Sequence, residues 1–176
     1  MKKVIVILCF LPMFILGSGY GQSLNDLDIK NGFRHFKFGT PPSQIKNIVK
    51  NTNQSSQNPN VIQYKYVGND IDYVFHVKVG YISLSFFNNK LYGILIDLEN
   101  FTASAFNSLL SALENAYGKN WVKVTSKDGF VLNGAAWDAK NVTLELIRVS
   151  YKGCSTCGYI NVYDKKLNHA VMISEF

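Results

Sequence analysis

Two cysteines separated by two residues form the most reactive spacing in this sequence. The chain has three cysteines, and Cys9 lies in an N-terminal apolar run, so Cys154 and Cys157 form a pair of their own. The ends of a four-residue turn lie within about 7 Å, and a disulfide needs Cα atoms about 4.4–6.8 Å apart. We therefore predict a structural Cys154–Cys157 disulfide in a turn between two strands.

A thiol–disulfide enzyme is the alternative use of this pair, since thioredoxin-like oxidoreductases share its spacing. Their chemistry depends on a helix start or a nearby cation that lowers the pKa of the first thiol, whereas both flanks of Cys154 and Cys157 are predicted strands. A closed zinc site needs four ligands, and no second cysteine or histidine pair is present in the sequence. The sequence favours a structural bridge over redox activity, and we expect no metal and no cofactor.

The remaining titratable side chains are scattered. His35, His76 and His169 lie in different predicted elements and have no partners at useful spacing. Four carboxylates fall on the predicted sheet, but hydrolysis would need them paired in a cleft: Asp72, Asp97, Glu99 and Glu145. The sequence contains no nucleophile elbow, phosphate loop or dinucleotide fingerprint. We expect no catalytic residues, and the sequence favours a protein that is not an enzyme.

The N-terminus has the pattern of a bacterial secretory signal peptide. Lys2 and Lys3 precede an apolar run from Val4 to Leu16, which is shorter than a membrane span and is followed by small and polar residues. We predict that residues 1–22 are removed and that residues 23–176 form a single domain, secreted or periplasmic. An oxidising compartment would favour the disulfide.

The charge pattern bears on the partners of the mature chain. The formal net charge of the full sequence is +6, and the lysines are spread along the chain without a run of five or more. Scattered charge favours a solvated surface over a nucleic-acid interface. No second long apolar stretch follows the leader, so we expect no nucleic-acid partner and no transmembrane segment in the mature chain.

Three antiparallel strands are predicted within Ile71–Glu99, where apolar and polar residues alternate over 71–79, 82–86 and 92–98. Two loops are possible between the second and third of these strands. A two-residue Asn88–Asn89 loop suits the left-handed angles that asparagine tolerates. A three-residue loop ending at Lys90 instead stacks three apolar pairs: Phe86 on Tyr92, Leu84 on Ile94 and Ile82 on Ile96. A one-residue slip moves every side chain to the other face, so we expect the second register.

Two helices are predicted. Thr40 and Pro41 start the first, which runs to about Lys50. Thr102 starts the second and Gly118 ends it, and between them an apolar stripe has helical spacing: Phe106, Leu109, Leu110, Leu113 and Tyr117.

Further strands complete the predicted fold: 61–67, 121–125, 130–137, 142–151 with a bulge between Leu146 and Ile147, 159–163, and a last strand at 167–173. The expected fold is α+β, with two successive helix-then-antiparallel-strands units and helices packed on one face of an antiparallel sheet. A cystatin-like sheet with one helix is the alternative.

A short segment at the first predicted helix resembles a known family. It runs Phe38-Gly39-Thr40-Pro41-Pro42-Ser43-Gln44-Ile45 and is similar to the Gly-x-Thr-x-x-Gln-Val helix start of BamE-like outer-membrane assembly lipoproteins. Related repeats of the β-lactamase inhibitor protein fold share that start. Gly39, Gln44 and Ile45 match by spacing. The resemblance implies a periplasmic α+β domain that contacts other proteins.

Four residues are candidates for a binding surface because the chosen register points them away from the first core face: Tyr81, Phe87, Leu91 and Leu95. Either a second layer of the same domain covers them or they form an exposed patch for a partner. The predicted function is an exported, non-enzymatic binding or envelope protein-interaction domain, with another envelope or secreted protein as partner. A redox protein using Cys154 and Cys157 and a proteinaceous enzyme inhibitor are the alternatives.

Overall fold

A computed structural model describes residues 23–52, 58–126, 130–151 and 154–174, so the predicted signal peptide lies outside the described residues. In the described part of the chain, every helix falls short of what a membrane crossing requires in length and apolar character. The elements in chain order are α1 Leu24–Lys30, β1 Gly32–Phe33, β2 Phe36–Lys37, a 3₁₀ turn Pro42–Gln44, β3 Ile48–Lys50, β4 Val61–Tyr66, β5 Tyr73–Val74, β6 Val77–Phe87, β7 Lys90–Leu98, α2 Ala103–Tyr117, β8 Val122–Lys123, β9 Val131–Asp138, β10 Val142–Tyr151, β11 Cys154–Asp164 and α3 Lys165–Ile173.

One large antiparallel sheet dominates the structure, which confirms the α+β class. Its strands lie in the order β3-β4-β6-β7-β11-β10-β9-β8, and β5 pairs with β6 beside this path. Strands β1 and β2 form a separate small hairpin.

One face of the sheet is apolar and covered. A single row crosses five strands through paired residues that are all buried: Ile82, Ile96, Ile160, Leu146 and Ala135. The next row is equally apolar: Leu84, Ile94, Val162, Leu144 and Trp137. We call these two rows the covered face. They share one core with Leu27 of α1, Phe36 of the small hairpin and the apolar stripe of α2.

The alternate residues of the same strands form what we call the open face. Thr143 and Ile147 of β10 are buried there. Its exposed and half-buried members are Tyr81, Ser83, Ser85, Leu95, Asp97, Glu145, Tyr159, Asn161 and Tyr163. Helix α3 contacts β7 and β11. Its Asn168 shares a concavity with Asn161 and Tyr163, so α3 lies on the open face. The expectation that the helices pack on one face of the sheet is therefore wrong. α3 also replaces the strand predicted at 167–173, and the Asp164 carboxylate caps it by accepting from the Leu167 N–H at 2.7 Å.

Helix α2 has the predicted start, stripe and end. The Thr102 hydroxyl accepts from the Ala105 N–H at 3.2 Å, and Gly118 ends the helix at φ 86°. The indole Nε1–H of Trp137 donates to the Gly118 carbonyl at 2.8 Å, which fixes the helix end on the covered face.

The first predicted helix is wrong. Only a 3₁₀ turn forms at Pro42–Gln44, Asn47 adopts φ 57°, and Ile48–Lys50 pairs with β4 as a strand. Pairing with β4 at the edge of the sheet therefore outweighs the helical spacing of the apolar residues in this stretch. The first helix is instead α1, where the Ser23 N–H donates to the Asp26 carboxylate at 2.7 Å. That short-range capping pattern was the signal in the sequence.

The β6–β7 hairpin combines the two registers that the sequence left in competition. Phe87 pairs with Lys90 across a two-residue loop, with Asn88 at φ 48° and Asn89 at φ 61°, so the expected three-residue loop is wrong. Tyr92 is then an extra residue that forms a bulge. Beyond it, the expected pairs Leu84–Ile94 and Ile82–Ile96 are confirmed. The bulge satisfies both the turn preference and the apolar pattern.

The preceding strand breaks at a different point from the one predicted. Val74 pairs with Val77 around a turn at Phe75 and His76, so the predicted strand 71–79 is two strands. Gly80, where a break was expected, is a bulge inside β6. In β10 the expected bulge between Leu146 and Ile147 is wrong, since the pairing with β11 is regular there and the two side chains are buried on opposite faces.

Candidate functional site

Two of the four predicted binding residues lie together on the open face. Tyr81 is 43% exposed and Leu95 is half-buried. Both line a shallow concavity of about 250 Å³ together with Gln63, Lys65 and Ser83. The strands β4, β6 and β7 hold these side chains, since each pair of neighbours is fixed by the sheet register.

The other two predicted residues are not part of that surface. Leu91 is fully buried and belongs to the core of the covered face. The bulge at Tyr92 causes this, because it turns Leu91 out of phase with the rest of β7 and lets its backbone pair with Gly39 and Thr40 at 2.8 and 3.0 Å. Phe87 is 8% exposed. The four residues therefore do not form one patch.

The open face extends onto two tyrosines that the sequence reasoning did not select. Tyr159 and Tyr163 flank Asn161 on β11, and the Asn161 amide donates to the Glu145 carboxylate at 3.0 Å. Burial, followed by the nearby Glu145 charge, raises the pKa of both phenols. The period-two spacing of Tyr159, Asn161 and Tyr163 was the available signal.

The four candidate carboxylates separate into different environments. Burial, and then repulsion from Glu99, raises the pKa of Asp97. Glu99 itself forms an ion pair with Lys78 at 2.8 Å. Glu145 belongs to the tyrosine row, and Asp72 is exposed in the chain before β5. Asp97 and Glu99 are thus the two that influence each other.

The three histidines lie apart. The His35 ring contacts the Phe36 ring with centroids 4.1 Å apart and planes inclined by 53°, and its Nδ1 lies 3.5 Å from the Asp70 carboxylate. His76 is exposed in the β5–β6 turn, and His169 is exposed on α3.

The cysteines are bonded to each other, but their setting differs from the predicted turn. Their Cα atoms are 5.8 Å apart. Both lie within β11, where Cys157 pairs with Val149 and Cys154 pairs with Tyr151, so the bridge spans a bulge inside a strand. Two residues between the cysteines fit either a tight turn or a bulge within a strand. The pairing of β11 with β10 shows that the bulge forms.

A polar concavity of about 900 Å³ lies between α1, the β9–β10 turn and α3. The Asp28 carboxylate accepts from the backbone N–H groups of Lys140, Asn141 and Val142 at 3.0, 2.8 and 3.0 Å. Lys165 forms an ion pair with Asp138 at 2.9 Å. These contacts tie α1 and α3 to the sheet, so the groups are engaged structurally.

A second concavity, which we call the groove, opens on the helix-covered side of the sheet and has a volume of about 710 Å³. The end of α1, the small hairpin, the β5–β6 turn and α2 enclose it, through Lys30, Phe33, Phe75 and Tyr117 among others. Sequence reasoning missed the groove because its walls come from four separate stretches of chain.

Comparison of the chain with models of known protein families, with curated proteins and with solved structures finds no match. The assignment of a function therefore depends on the geometry of the open face and the groove.

Proposed function

We propose that this protein is a non-enzymatic binding domain that captures a protein partner on the open face. The amino-acid composition of that face supports the proposal. Tyrosine, serine and asparagine side chains stand on hydrogen-bonded strands beside the half-buried Leu95. Antibody paratopes favour this mixture, because tyrosine supplies contact area at low entropic cost and small polar residues adapt their hydrogen bonds.

Rigidity supports the same conclusion. Tyr81, Leu95 and Asn161 lie on neighbouring central strands, and the hydrogen bond from Asn161 to Glu145 links β11 to β10. Side chains held in this way lose little further freedom on binding, so more of the contact energy appears as affinity.

A photo-crosslinking residue at position 81 tests the proposal. We expect it to form a covalent adduct with one protein of defined mass, and we expect Leu95→Asp to abolish that adduct while the protein stays folded. A crosslinker at Ile29, which is 70% exposed on α1, is the matched control and should give no such adduct. Adducts of equal yield at both positions, or an adduct that persists in Leu95→Asp, would contradict the proposal.

We also propose that the protein is exported and that its partner is another envelope or secreted protein, with an inhibited enzyme as one such partner. The basic and apolar N-terminal pattern supports export, and a disulfide-bonded Cys154–Cys157 pair suits an oxidising compartment. N-terminal sequencing of the protein recovered from its native cells should begin within a few residues of Ser23. A cytoplasmic protein that still begins at Met1 would overturn this.

A further inference from the structure

The groove has an apolar floor. Val74, Leu113, Leu144 and Ile160 line it, and each of the four is also part of the buried core. Water still reaches the apolar walls above this floor, where Phe33 and Ala116 are half-buried and Phe75 is exposed. Covering these walls with an apolar body gains free energy by excluding that water.

The groove has aromatic side chains on its outer rim. Tyr73 and Phe75 are each 53% exposed, although both are large and partly apolar. Phe75 also adopts φ 54°, a left-handed conformation that costs free energy for a bulky residue. The tight turn between Val74 and Val77 therefore holds an exposed aromatic ring at the mouth of the groove under backbone strain.

Three cationic side chains line the groove, and none of its lining residues is acidic. The Lys30 ammonium donates to the Tyr117 hydroxyl at 3.2 Å, and the Lys37 ammonium donates to the Lys30 carbonyl at 2.6 Å. The Arg34 guanidinium donates to the carbonyls of Asp70 and Tyr73 at 3.2 and 2.8 Å. All of these acceptors are neutral, so the hydrogen bonds position the cations without neutralising them.

The Asp70 carboxylate, which interacts electrostatically with Arg34, is hydrogen-bonded to another side chain. The Asp70 carboxylate accepts from the Tyr66 hydroxyl, which is the main cause of its lowered pKa, and His35 and Arg34 add smaller effects. A concave site with charges of one sign and apolar walls concentrates ligands of the opposite charge.

We propose that the groove binds a small amphiphile that has an apolar body and one anionic head group. The body lies between Phe33 and Ala116 and is enclosed by Phe75. The head group accepts hydrogen bonds from Lys37 and Lys30. This site lies on the opposite side of the sheet from the open face, so it is independent of the protein-binding surface proposed above.

Isothermal titration of the purified protein with head-group variants of one chain length tests the proposal. We expect saturable binding of dodecanoate or dodecyl phosphate, at least about tenfold weaker binding of dodecanol, and no binding of dodecyltrimethylammonium. The stronger of the two anions identifies the head group, and inorganic phosphate alone should compete poorly because it lacks the apolar body. Equal affinities for the anion and the alcohol would overturn the proposal, as would binding to anionic vesicles without binding of either monomeric anion.

Two substitutions test the assigned residues. Lys37→Gln keeps a hydrogen-bond donor but removes the charge, and it should weaken anion binding about tenfold. Phe75→Gly suits the positive φ, so it should leave the fold intact while removing the rim ring and weakening binding. Lys90→Gln and Val67→Ala, at exposed positions outside the groove, are the matched controls and should bind normally. Normal binding by both test variants would overturn the assignment, whereas the crosslink at position 81 should persist in all four proteins.

Discussion

The two faces of the sheet are built from the same strands and differ in what their alternate residues do. On the covered face Ile82, Ile96 and Leu146 are removed from water, and elements that share their core, α1, α2 and the small hairpin, also enclose the groove. On the open face Tyr81 and Asn161 meet solvent as hydrogen-bonding groups. One face therefore holds the fold together and leaves room for a small ligand, and the other presents a broad polar and aromatic surface.

A pleated strand can serve stability and recognition at once, because successive side chains point to opposite sides. Substitutions on the covered face should change the free energy of unfolding, whereas substitutions on the open face should change partner binding.

Single-residue deletions in β7 should separate the two faces most sharply. Removing Leu95 would shift Ile96 and Leu98 onto the opposite face, so we expect an unfolded protein. Removing Tyr92 deletes only the bulge residue and leaves Leu84 opposite Ile94, so that variant should fold at a cost of under about 2 kcal/mol. Near-ultraviolet circular dichroism and urea unfolding measure both. If the two deletions were equally damaging, the bulge assignment would be wrong.

Truncating one aromatic residue on each face gives the next largest contrast. Trp137 is fully buried and donates to Gly118, so Trp137→Ala should lower the free energy of unfolding by about 3–5 kcal/mol. Tyr159→Ala on the open face should cost about 1 kcal/mol. Urea denaturation compares them, and a Tyr159 variant as unstable as the Trp137 variant would show that the open face is core.

Removal of the disulfide should have a moderate and local effect. The Cys154→Ser/Cys157→Ser protein should lose at most about 2 kcal/mol, because the bridge closes a very short loop. Hydrogen exchange should increase at the paired ends of β10 and β11, while dodecanoate binding in the groove is unchanged.

The same pair tests the redox alternative. A thiol titration of the reduced wild-type protein should place both thiols in the alkaline range of ordinary cysteine, with no disulfide-reductase activity. An acidic first thiol together with reductase turnover would restore that alternative.

The smallest expected effect concerns the pH dependence of the open face. The pKa of Asp97 is raised above 3.8 by burial and then by Glu99, so the native state binds this proton more tightly than the unfolded chain does. Stability is therefore lost as pH rises from 3.8 through the folded pKa. Asp97→Asn should stabilise the protein at pH 7 and give no gain below the ordinary carboxyl pKa. A gain of equal size at both pH values would rule out this cause.

Much of the local structure was predictable from the sequence. The stripe from Phe106 to Tyr117 and the cap at Thr102 specified α2. The bounds of β10 agree with the predicted strand 142–151, although its shift of apolar phase is not a bulge. These elements agree with their local patterns because burial of a helical stripe or of one strand face selects a single repeat. The failures at 41–50 and 167–173 have the opposite cause, since short amphipathic stretches fit a helix or a strand and tertiary contacts choose between them.

The candidate sites were less predictable than the elements. Tyr81 and Leu95 line one concavity of the open face. Leu91 lies on the covered face instead, because a single bulge residue reverses the alternation. The groove had no local signal at all, since Lys30, Arg34 and Phe75 come together only after the small hairpin packs near α2.

The sequence by itself determined the α+β class, the main helix and the pairing of the central apolar residues, because these follow from the periodicity of neighbouring side chains. Only the tertiary structure decided where the strands bulge, which face each helix covers and which distant cations surround the groove. Those features depend on contacts between residues far apart in the chain, and the pattern of one local segment contains no information about them.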